Sequence, residues 1–349
     1  MNNTQLWLLC LFFIDCFLIF NNNVRYTIEN KSGQSNALIL LIISMIFLVI
    51  FRDVNMADYA DYKYDFESKV YYGNAEPMYQ FIRRVARLFP NPWIVASLFF
   101  SSLSLIIKMR YFEKLSPSYY GSLLVYLSYL YVAQDMIAIR SACAAAFLLP
   151  IVQYAVNKQW FNALMFILIA TCFHYSAFIF VLILFLTNNS VKRKWFYYIL
   201  LIISVILAYK EIQLGKIITI ANIAIVGDKL GKYEYQDGIN PFNIVQMGRF
   251  CICVLGWINI KKMQLIMDNI LVYLKIYTIA VCSFFLFSDL ISLAFRVSEL
   301  LIIVEVLVIP TLFFSIFIKR LLLAKIGIVI YSSIVLFCYT LFNSAYWGY

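Results

Sequence analysis

The chain carries little charge for its length. Only 13% of its 349 residues are Asp, Glu, Lys or Arg, whereas 64% are hydrophobic and the mean hydropathy is +0.84. Soluble domains contain about 25% charged residues and are about half apolar. The sequence therefore leaves too little polar surface to cover a water-soluble globule, and it predicts a chain whose solvent is mostly lipid.

The motifs of several enzyme classes are missing as well. The sequence has no P-loop, no glycine-rich dinucleotide fingerprint, no H-E-x-x-H and no G-x-S-x-G. Its one histidine, His174, rules out a histidine-rich metal site. The eight cysteines are scattered through apolar segments, where we expect them to fill space rather than form disulfides or bind zinc. We therefore predict no cofactor and no obligatory metal.

The sequence does contain a series of long apolar blocks. Leu, Ile, Phe and Val fill them without alternating polar and apolar positions, which favours membrane-spanning helices over barrel strands. The apolar stretch 160–186 is interrupted at Thr171, His174 and Ser176, and we interpret it as two short spans that meet near His174. The clearest blocks are residues 37–51, 93–107, 119–134, 138–156, 195–209, 242–260, 270–287, 297–318 and 326–342.

These blocks predict an all-α, polytopic membrane protein with one domain over residues 1–349 and about twelve transmembrane helices. The formal net charge is +10, and Lys and Arg cluster in short connections that the positive-inside rule assigns to the cytoplasm. Lys108 belongs to such a cluster and is predicted to lie on the cytoplasmic side of the membrane, whereas Asp135 is predicted to lie on the outer side. Topology accounts for the positive charge, so we predict no nucleic-acid partner. The basic clusters include 108–114, 261–262 and 319–325, and the two long outer (periplasmic) connections are 52–92 and 210–241.

Several ionisable side chains lie in or beside the apolar blocks. Each costs about 2.5–3.5 kcal/mol at a helix centre and is a functional candidate by default. Arg140 precedes a run of small residues that lets another helix pack closely, so it either points into a crowded site or extends to the headgroups. Arg249 lies inside a span, and Arg296 could pair with Glu299 on its own helix face. His174 could be a general base, a phosphate contact or a hydrogen-bonded core residue.

The first long connection holds the densest group of carboxylates and aromatic rings. If this part is helical, Asp58, Asp61 and Asp65 share one face, and Tyr59 and Tyr62 lie on the neighbouring face. Carboxylates accept hydroxyl protons and ring faces cover the apolar side of a pyranose, so the group suits a sugar site. The acidic face could also hold a divalent ion. The alternative is a solvated amphipathic helix at the membrane surface.

A second amphipathic segment follows at 76–89. Pro77 suits the first turn of a helix, and Glu76 would lie at the positive end of that helix. We interpret the segment as an interfacial helix whose basic face meets lipid headgroups or a lipid diphosphate. The apolar stripe consists of Phe81, Val85 and Leu88, and the basic face consists of Arg83, Arg84 and Arg87.

In their order and spacing, these pieces resemble the EpsG/Wzy family of O-antigen and exopolysaccharide polymerases. The resemblance runs through most of the chain, although the family often has Gly where this chain has Ala57 and Gln where it has Ser141. The matching pieces are Arg52, Asp58-Tyr59 and Tyr62; Glu76-Pro77 and Tyr79; Gln134; Ile139-Arg140 with the small residues 141–146; Phe173-His174 with Ser176-Ala177; Lys229, Lys232 and Tyr233; Ala294-Phe295-Arg296; and Pro310.

The resemblance implies a glycosyl transfer at the outer face of the bacterial inner membrane. The donor would be a growing glycan on undecaprenyl diphosphate, and the acceptor would be a repeat unit on the same carrier. Arg140 and Arg296, followed by Arg52 and Arg249, would hold the diphosphate, because the arginine fork binds phosphate bidentately. The energy lies in the diphosphate ester, so no ATP is needed. A separate chain-length regulator protein is an expected partner.

The same resemblance suggests roles for the remaining residues. Asp58 is the first choice for the base that takes the acceptor hydroxyl proton, His174 is the alternative, and Glu76 is a third group that could serve. The aromatic rings and the second outer loop would contact the acceptor sugar. The residues concerned are Tyr59, Tyr62, Lys229, Lys232 and Tyr233.

Three other classes of function compete with this hypothesis. A flippase for the same lipid-linked units would line its path with buried arginines, but no inverted repeat is visible in the sequence. An O-antigen ligase shares the donor chemistry and is separated only by the family resemblance. A structural membrane subunit does not explain why arginines recur at one membrane face.

Overall fold

In the computed structural model, every regular element is a helix among the residues that the structure describes, as the composition predicts. These elements include long α-helices, two π-helices and one extended 3₁₀ helix. The described residues are 2–21, 35–68, 76–187, 191, 194–212, 239–341 and 344–347.

The first half of the chain contains nine α-helices and one π-helix among its described residues. These are α1 (Asn3–Asn21), α2 (Ser35–Ile50), α3 (Tyr59–Glu67), α4 (Pro77–Ala86), α5 (Pro92–Leu115), α6 (Tyr119–Val125), π1 (Tyr126–Ile137), α7 (Ile139–Ala146), α8 (Leu148–Val156) and α9 (Trp160–Phe173). The second half contains the 3₁₀ helix Tyr175–Phe185, α10 (Lys194–Tyr209), α11 (Ile244–Gln264), α12 (Ile270–Leu286), α13 (Ile291–Ile302), α14 (Glu305–Ile316), α15 (Leu321–Val335), π2 (Leu336–Leu341) and α16 (Ser344–Trp347).

Five of the described helices are long and apolar enough to cross a membrane, and a sixth candidate is the α13–α14 pair, which is bent by 55°. The predicted count of about twelve is not confirmed. The reason is length: several apolar elements have 10–17 residues, at or below the lower limit for a straight helical span. The five long spans are Asn3–Asn21, Pro92–Leu115, Ile139–Val156, Ile244–Gln264 and Leu321–Cys338, and the bent pair is Leu293–Ile302 with Glu305–Ile316.

The interior of the bundle is formed by elements that are buried on all sides. π1 is buried over its whole length, and α12 over nearly all of it, where it contacts α10, α11 and α13. Both elements are apolar around most of their circumference, as helices without a solvent-facing side are. By contrast, Phe161 and Phe185 are 75% and 79% exposed, because the outer helices turn large apolar side chains toward lipid.

The run of small residues after Arg140 packs as the sequence predicts. Ala142 to Ala146 are buried where α7 lies against α5. The backbones come close enough for the Ser104 hydroxyl to donate to the carbonyl oxygen of Ala142 at 3.2 Å. Small side chains permit this approach, and it fixes the start of α7, where Arg140 lies.

The apolar stretch 160–186 breaks at its histidine, as predicted. α9 ends at Phe173, His174 is extended with φ −154° and ψ 117°, and the 3₁₀ helix begins at Tyr175. The two apolar elements contact each other, and α9 also contacts α4 and α7. The break therefore brings the only histidine of the chain next to the helices that carry Glu76 and Arg140.

The first long connection forms two short helices, but the prediction for the basic face of α4 was wrong at two of its three arginines. Arg83 is buried and pairs with Asp65 of α3 at 3.1 Å, and Arg87 donates to the carbonyl oxygen of Phe66 at 3.1 Å. The apolar stripe faces outward instead, and Leu88 is 82% exposed. Two arginines therefore join α4 to α3 because the end of α3 leaves carbonyl and carboxylate oxygens that need donors.

The predicted placement of Lys108 and Asp135 on opposite sides of the membrane was also wrong. Their side chains form a salt bridge of 2.6 Å, and both are fully buried. Lys108 lies within α5, which continues to Leu115, beyond the predicted end of that span at residue 107. A charged residue inside a span is stabilised by a partner on a neighbouring helix, so a basic residue near a span end does not always mark the cytoplasm.

Candidate active site

The candidate site centres on Glu76, the residue that precedes α4. Pro77 occupies the first helical turn, and the Glu76 side chain makes no capping bond to the helix. It reaches across to two other helices instead. Arg140 Nη1 donates to Oε2 at 2.8 Å, and His174 Nδ1 lies 3.1 Å from Oε1. One carboxylate thus joins the first long connection to the start of α7 and to the break after α9.

The electrostatics of Glu76 follow from these two partners. Burial alone would raise the pKa of Glu76, but the hydrogen bond to His174 and the positive charge of Arg140 outweigh it and lower the pKa to about 2. Glu76 is therefore a permanent carboxylate, and a poor proton acceptor at neutral pH.

Arg140 is held from several sides but remains accessible. Its guanidinium lies 5.0 Å from the ring centre of Tyr79 and 5.6 Å from that of Tyr62, and Nε donates to the Tyr62 hydroxyl at 3.3 Å. One third of the side chain (33%) is still exposed. These contacts fix the guanidinium and leave part of it free to contact an anion.

An aromatic wall stands beside this group. Trp93, at the start of α5, stacks parallel to Tyr62 with ring centres 6.3 Å apart, and Tyr59 meets Trp93 edge-on at 5.4 Å. The sequence pattern indicated Tyr59 and Tyr62, but it did not indicate Trp93 or a role for Tyr79 in holding Arg140. The position of Trp93 beside Pro92, at the mouth of a span, is the one signal that could have pointed to it.

Arg52 lies behind the wall with unused donors. Its guanidinium is 4.9 Å from the ring centre of Trp93 and 5.4 Å from that of Tyr59, and the residue is 3% exposed. Nη1 donates to the carbonyl oxygen of Val49 at 2.8 Å, whereas Nε and Nη2 are buried without a hydrogen-bond partner among the described residues. Burial lowers the pKa of Arg52 to about 10, so the group stays charged at neutral pH.

Asp58 is within the electrostatic reach of three of the four predicted arginines. It precedes α3 in the left-handed conformation (φ 59°), and its exposed side chain makes no bond to the helix. Partial burial and the neighbouring Asp61 raise the pKa of Asp58, and the charges of Arg140, Arg296 and Arg52 oppose that rise. All three arginines therefore act on one carboxylate, although they come from three distant parts of the chain.

The order of these residues along the chain can be compared with known families. The sequence model of the EpsG family matches residues 36–349, which is most of the chain. The chain belongs to the EpsG family. This family includes Wzy-type polymerases. Searches of curated proteins and of solved structures found no match.

One arginine predicted for the site of this EpsG-family protein has a different position. Arg249 is 3% exposed and pairs with Glu305 of α14 at 3.0 Å, with its guanidinium 4.8 Å from the ring centre of Tyr129. The charge of Glu305 is therefore balanced inside the bundle. Glu299 accepts a hydrogen bond of 2.7 Å from the Tyr129 hydroxyl.

Of the other predicted site residues, one lies on α13 and three lie outside the described part of the chain. Arg296 is half-buried on α13, and its charge acts on Asp58. Lys229, Lys232 and Tyr233, which the sequence assigned to the second long connection, lie outside the described residues. No group of three or more metal-ligating side chains occurs in the part of the chain that the structure describes.

The site of this EpsG-family chain contains groups that can serve as an anion clamp and as a proton acceptor. The charges of Arg140, Arg296 and Arg52 all reach the Asp58 carboxylate, and guanidinium groups form strong charge-assisted hydrogen bonds to phosphate. The Glu76 carboxylate fixes Nδ1 of His174, which leaves Nε2 as the other ring nitrogen. Within the described residues, Nε2 has no hydrogen-bond partner and can take a proton from a substrate.

Proposed function

We propose that this protein is a polysaccharide polymerase. It transfers a growing glycan from undecaprenyl diphosphate to the terminal sugar hydroxyl of a lipid-linked repeat unit at the outer face of the inner membrane. Membership of the EpsG family supports the reaction class. The observation that supports the chemistry is the Glu76 carboxylate shared between Arg140 and His174, beside an Asp58 on which three arginines act.

In this proposal the arginines bind the leaving group. Undecaprenyl diphosphate departs with the bonding electron pair, so negative charge grows on the phosphate oxygens in the transition state. Arg140, Arg296 and Arg52 stabilise that charge from fixed positions, and fixed donors in a water-poor site stabilise charge better than water does. Arg249 already balances Glu305 inside the bundle, so it is not included in the clamp.

His174 is the base in this proposal. In the tautomer that donates Nδ1–H to Glu76, Nε2 carries a lone pair that accepts the acceptor hydroxyl proton. The acceptor oxygen then bonds to the anomeric carbon of the donor, and the bond between that carbon and the phosphate oxygen breaks. Glu76 holds the imidazole in place and stabilises the imidazolium, as a carboxylate does in a catalytic triad.

Asp58 and the aromatic residues bind the sugars. Asp58, which the sequence suggested as the first choice for the base, accepts a hydrogen bond from a sugar hydroxyl in this proposal. Tyr59 and Tyr62 contact the apolar faces of the sugar rings, and Lys229, Lys232 and Tyr233 contribute from the second outer loop. A chain-length regulator protein is the proposed partner in the membrane.

The experiment that tests the proposal is a surface-glycan gel of a strain in which the gene is deleted. We expect the ladder to collapse to one repeat unit on its lipid, because translocation and ligation continue while polymerisation stops. Loss of the single-repeat form as well points to a flippase or a ligase instead. An unchanged ladder, in a strain without a second polymerase gene, contradicts the proposal.

Complementation then tests the residues. Arg140→Ala, Arg296→Ala and His174→Gln should insert normally and leave the single-repeat form, whereas Arg84→Ala, an exposed arginine on α4, should restore the ladder. A full ladder from the Arg140 and Arg296 variants contradicts the diphosphate assignment. If the His174→Gln variant restores the full ladder and the Asp58→Asn variant does not, Asp58 rather than His174 is the base.

A further inference from the structure

Two residues of π1 contact the same residue of α13. The Tyr129 hydroxyl donates to the Glu299 carboxylate at 2.7 Å, and Gln134 Nε2 donates to the Glu299 carbonyl oxygen at 2.7 Å. Tyr129 and Gln134 are 2% and 1% exposed. One turn of α13 is thus fixed through both its side chain and its backbone.

The π-helical geometry makes this double contact possible. On an α-helix, two residues five positions apart point about 140° away from each other. A π-helix closes its hydrogen bonds between residues five apart, so such residues lie on the same side. Tyr126 and Tyr131 confirm the spacing, because their ring centres are 5.9 Å apart.

Gln134 also ties this contact to the buried ion pair. Its Oε1 accepts from Lys108 Nζ at 3.0 Å, and Lys108 pairs with Asp135 at 2.6 Å. Both hydrogen-bonding ends of the amide are therefore used, one toward α5 and one toward α13. A buried amide with both ends occupied has one orientation, and it fixes the elements that it joins.

The elements joined in this way carry the two principal arginines of the clamp. Arg296 lies on α13, one turn before Glu299, and Arg140 is the second residue of α7, which follows π1 after one residue. α7 and α13 are in contact, so a small rotation of α13 changes the separation of the two guanidinium groups. We propose that Tyr129 and Gln134 are positioning residues that set Arg296 against Arg140 for binding of the diphosphate. The inference rests on the proposed polymerase function and deepens it.

A double-mutant cycle on turnover tests this role. The full-length protein in lipid nanodiscs is given repeat units on undecaprenyl diphosphate, isolated from the deletion strain that accumulates them. Tyr129→Phe removes one hydroxyl, and we expect kcat to fall on the order of tenfold with KM little changed, because a misplaced transition-state contact costs rate. Arg296→Lys lowers kcat by itself. Because both changes act through the same group, the double variant should have a kcat within about twofold of Arg296→Lys alone.

The matched control is Thr278→Val on α12. Thr278 is fully buried and accepts a hydrogen bond of 3.0 Å from Trp257 Nε1, so the change also removes one buried hydroxyl, but one that bonds to α11. We expect the kcat of Thr278→Val to stay near that of the wild type. When Thr278→Val is combined with Arg296→Lys, the fold-reductions in kcat of the two single variants should multiply.

Three outcomes overturn the inference. Effects of Tyr129→Phe and Arg296→Lys that multiply show that Tyr129 does not act through Arg296. A loss from Thr278→Val as large as that from Tyr129→Phe shows that any lost buried hydrogen bond suffices. If the wild-type protein forms no polymer from these units, both the proposed function and the inference are wrong. If it forms polymer but the effects of the two substitutions multiply, only the inference is wrong.

Discussion

Glu76 shows how a single side chain can connect three separate parts of a membrane protein. The residue precedes a short helix in the first long connection, yet its two oxygens bind an arginine from one span and the histidine from a break between two apolar elements. Its negative charge is needed at both contacts. The effect of removing that charge therefore depends on pH.

We predict that Glu76→Gln destabilises the protein most near neutral pH. The pKa of Glu76 is lowered from 4.5 to about 2, so the folded state binds this proton more weakly than the unfolded chain does. The stabilisation is fully present above about pH 4.5 and is lost as the pH falls toward 2, and at neutral pH it is on the order of 3 kcal/mol.

The measurement is the melting temperature of both proteins in detergent between about pH 3 and 7. The difference between them should shrink at the acidic end. Glu67→Gln, which changes an exposed glutamate at the end of α3, is the control and should show no such trend. A difference that stays constant from neutral to acidic pH contradicts the charge-based explanation.

We expect that Arg52 lowers the stability of the folded protein but contributes to its activity. Two of its guanidinium nitrogens are buried without a hydrogen-bond partner among the described residues, and an unsatisfied buried donor costs about 1–3 kcal/mol. We therefore predict that Arg52→Met raises the melting temperature, because Met fills similar space without the unsatisfied donors. Activity should fall at the same time.

Ligand-induced stabilisation checks the functional half of this prediction. Undecaprenyl diphosphate should raise the melting temperature of the wild-type protein, since a ligand that binds only the folded state stabilises it. The increase should be smaller for Arg52→Met and unchanged for Arg110→Met, an exposed arginine on α5. If undecaprenyl diphosphate raises the melting temperature of the Arg52 variant as much as that of the wild type, Arg52 is not part of the diphosphate site.

At the scale of elements, α3 and α4 depend on each other because neither is long enough to be stable alone. Nine- and ten-residue helices are marginal in water, and their stability comes from packing. Phe66 of α3 contacts Tyr79 of α4 edge-on at 5.1 Å, and the pair of Arg83 and Asp65 lies beside this contact. The two helices present Asp58 and Glu76 to the site from their N-terminal ends.

We predict that Arg83→Ala and Arg84→Ala differ sharply, although the residues are neighbours. Arg83 is buried and its loss leaves Asp65 without that partner, which should cost about 3 kcal/mol. Arg84 is exposed, and its replacement should change stability by less than about 0.5 kcal/mol. Melting temperatures of the two purified variants provide the comparison. Equal losses would mean that the Arg83–Asp65 pair does not join the helices.

At the scale of the whole molecule, the proposed reaction needs the site on the outer side of the membrane. The basic residues Lys261 and Lys262 end α11, and the positive-inside rule assigns them to the cytoplasm. The proposal puts the first outer connection, with Lys63 exposed on α3, on the opposite side.

Labelling with a membrane-impermeant maleimide tests this orientation in intact cells. In a background without the native cysteines, Lys63→Cys should react directly, and Lys262→Cys should react only after the membrane is permeabilised. The reverse pattern would place the arginine clamp in the cytoplasm, where the lipid-linked units are not yet translocated, and would contradict the proposed reaction.

The sequence by itself predicted the all-helical membrane fold and most of the residues that gather in the candidate site. The composition requires burial in lipid, and apolar blocks without alternating polar positions favour helices over barrel strands, so this level needs no tertiary information. Arg52, Asp58, Glu76, Arg140 and His174 could be selected individually, because ionisable groups near apolar blocks are costly and few. The break at His174 also followed from local residues.

Only the tertiary structure decided which of these groups meet. Lys108 and Asp135 were assigned to opposite sides, yet they pair inside the bundle; Arg249 binds Glu305; and Arg83 turns inward to α3. Charge patterns along a chain report on span ends, but the partner of a buried charge lies on another helix, often far away in the sequence. Helix length and the π-helical register of π1 likewise depend on packing. That is why the span count and the double contact of Tyr129 and Gln134 with Glu299 required the fold.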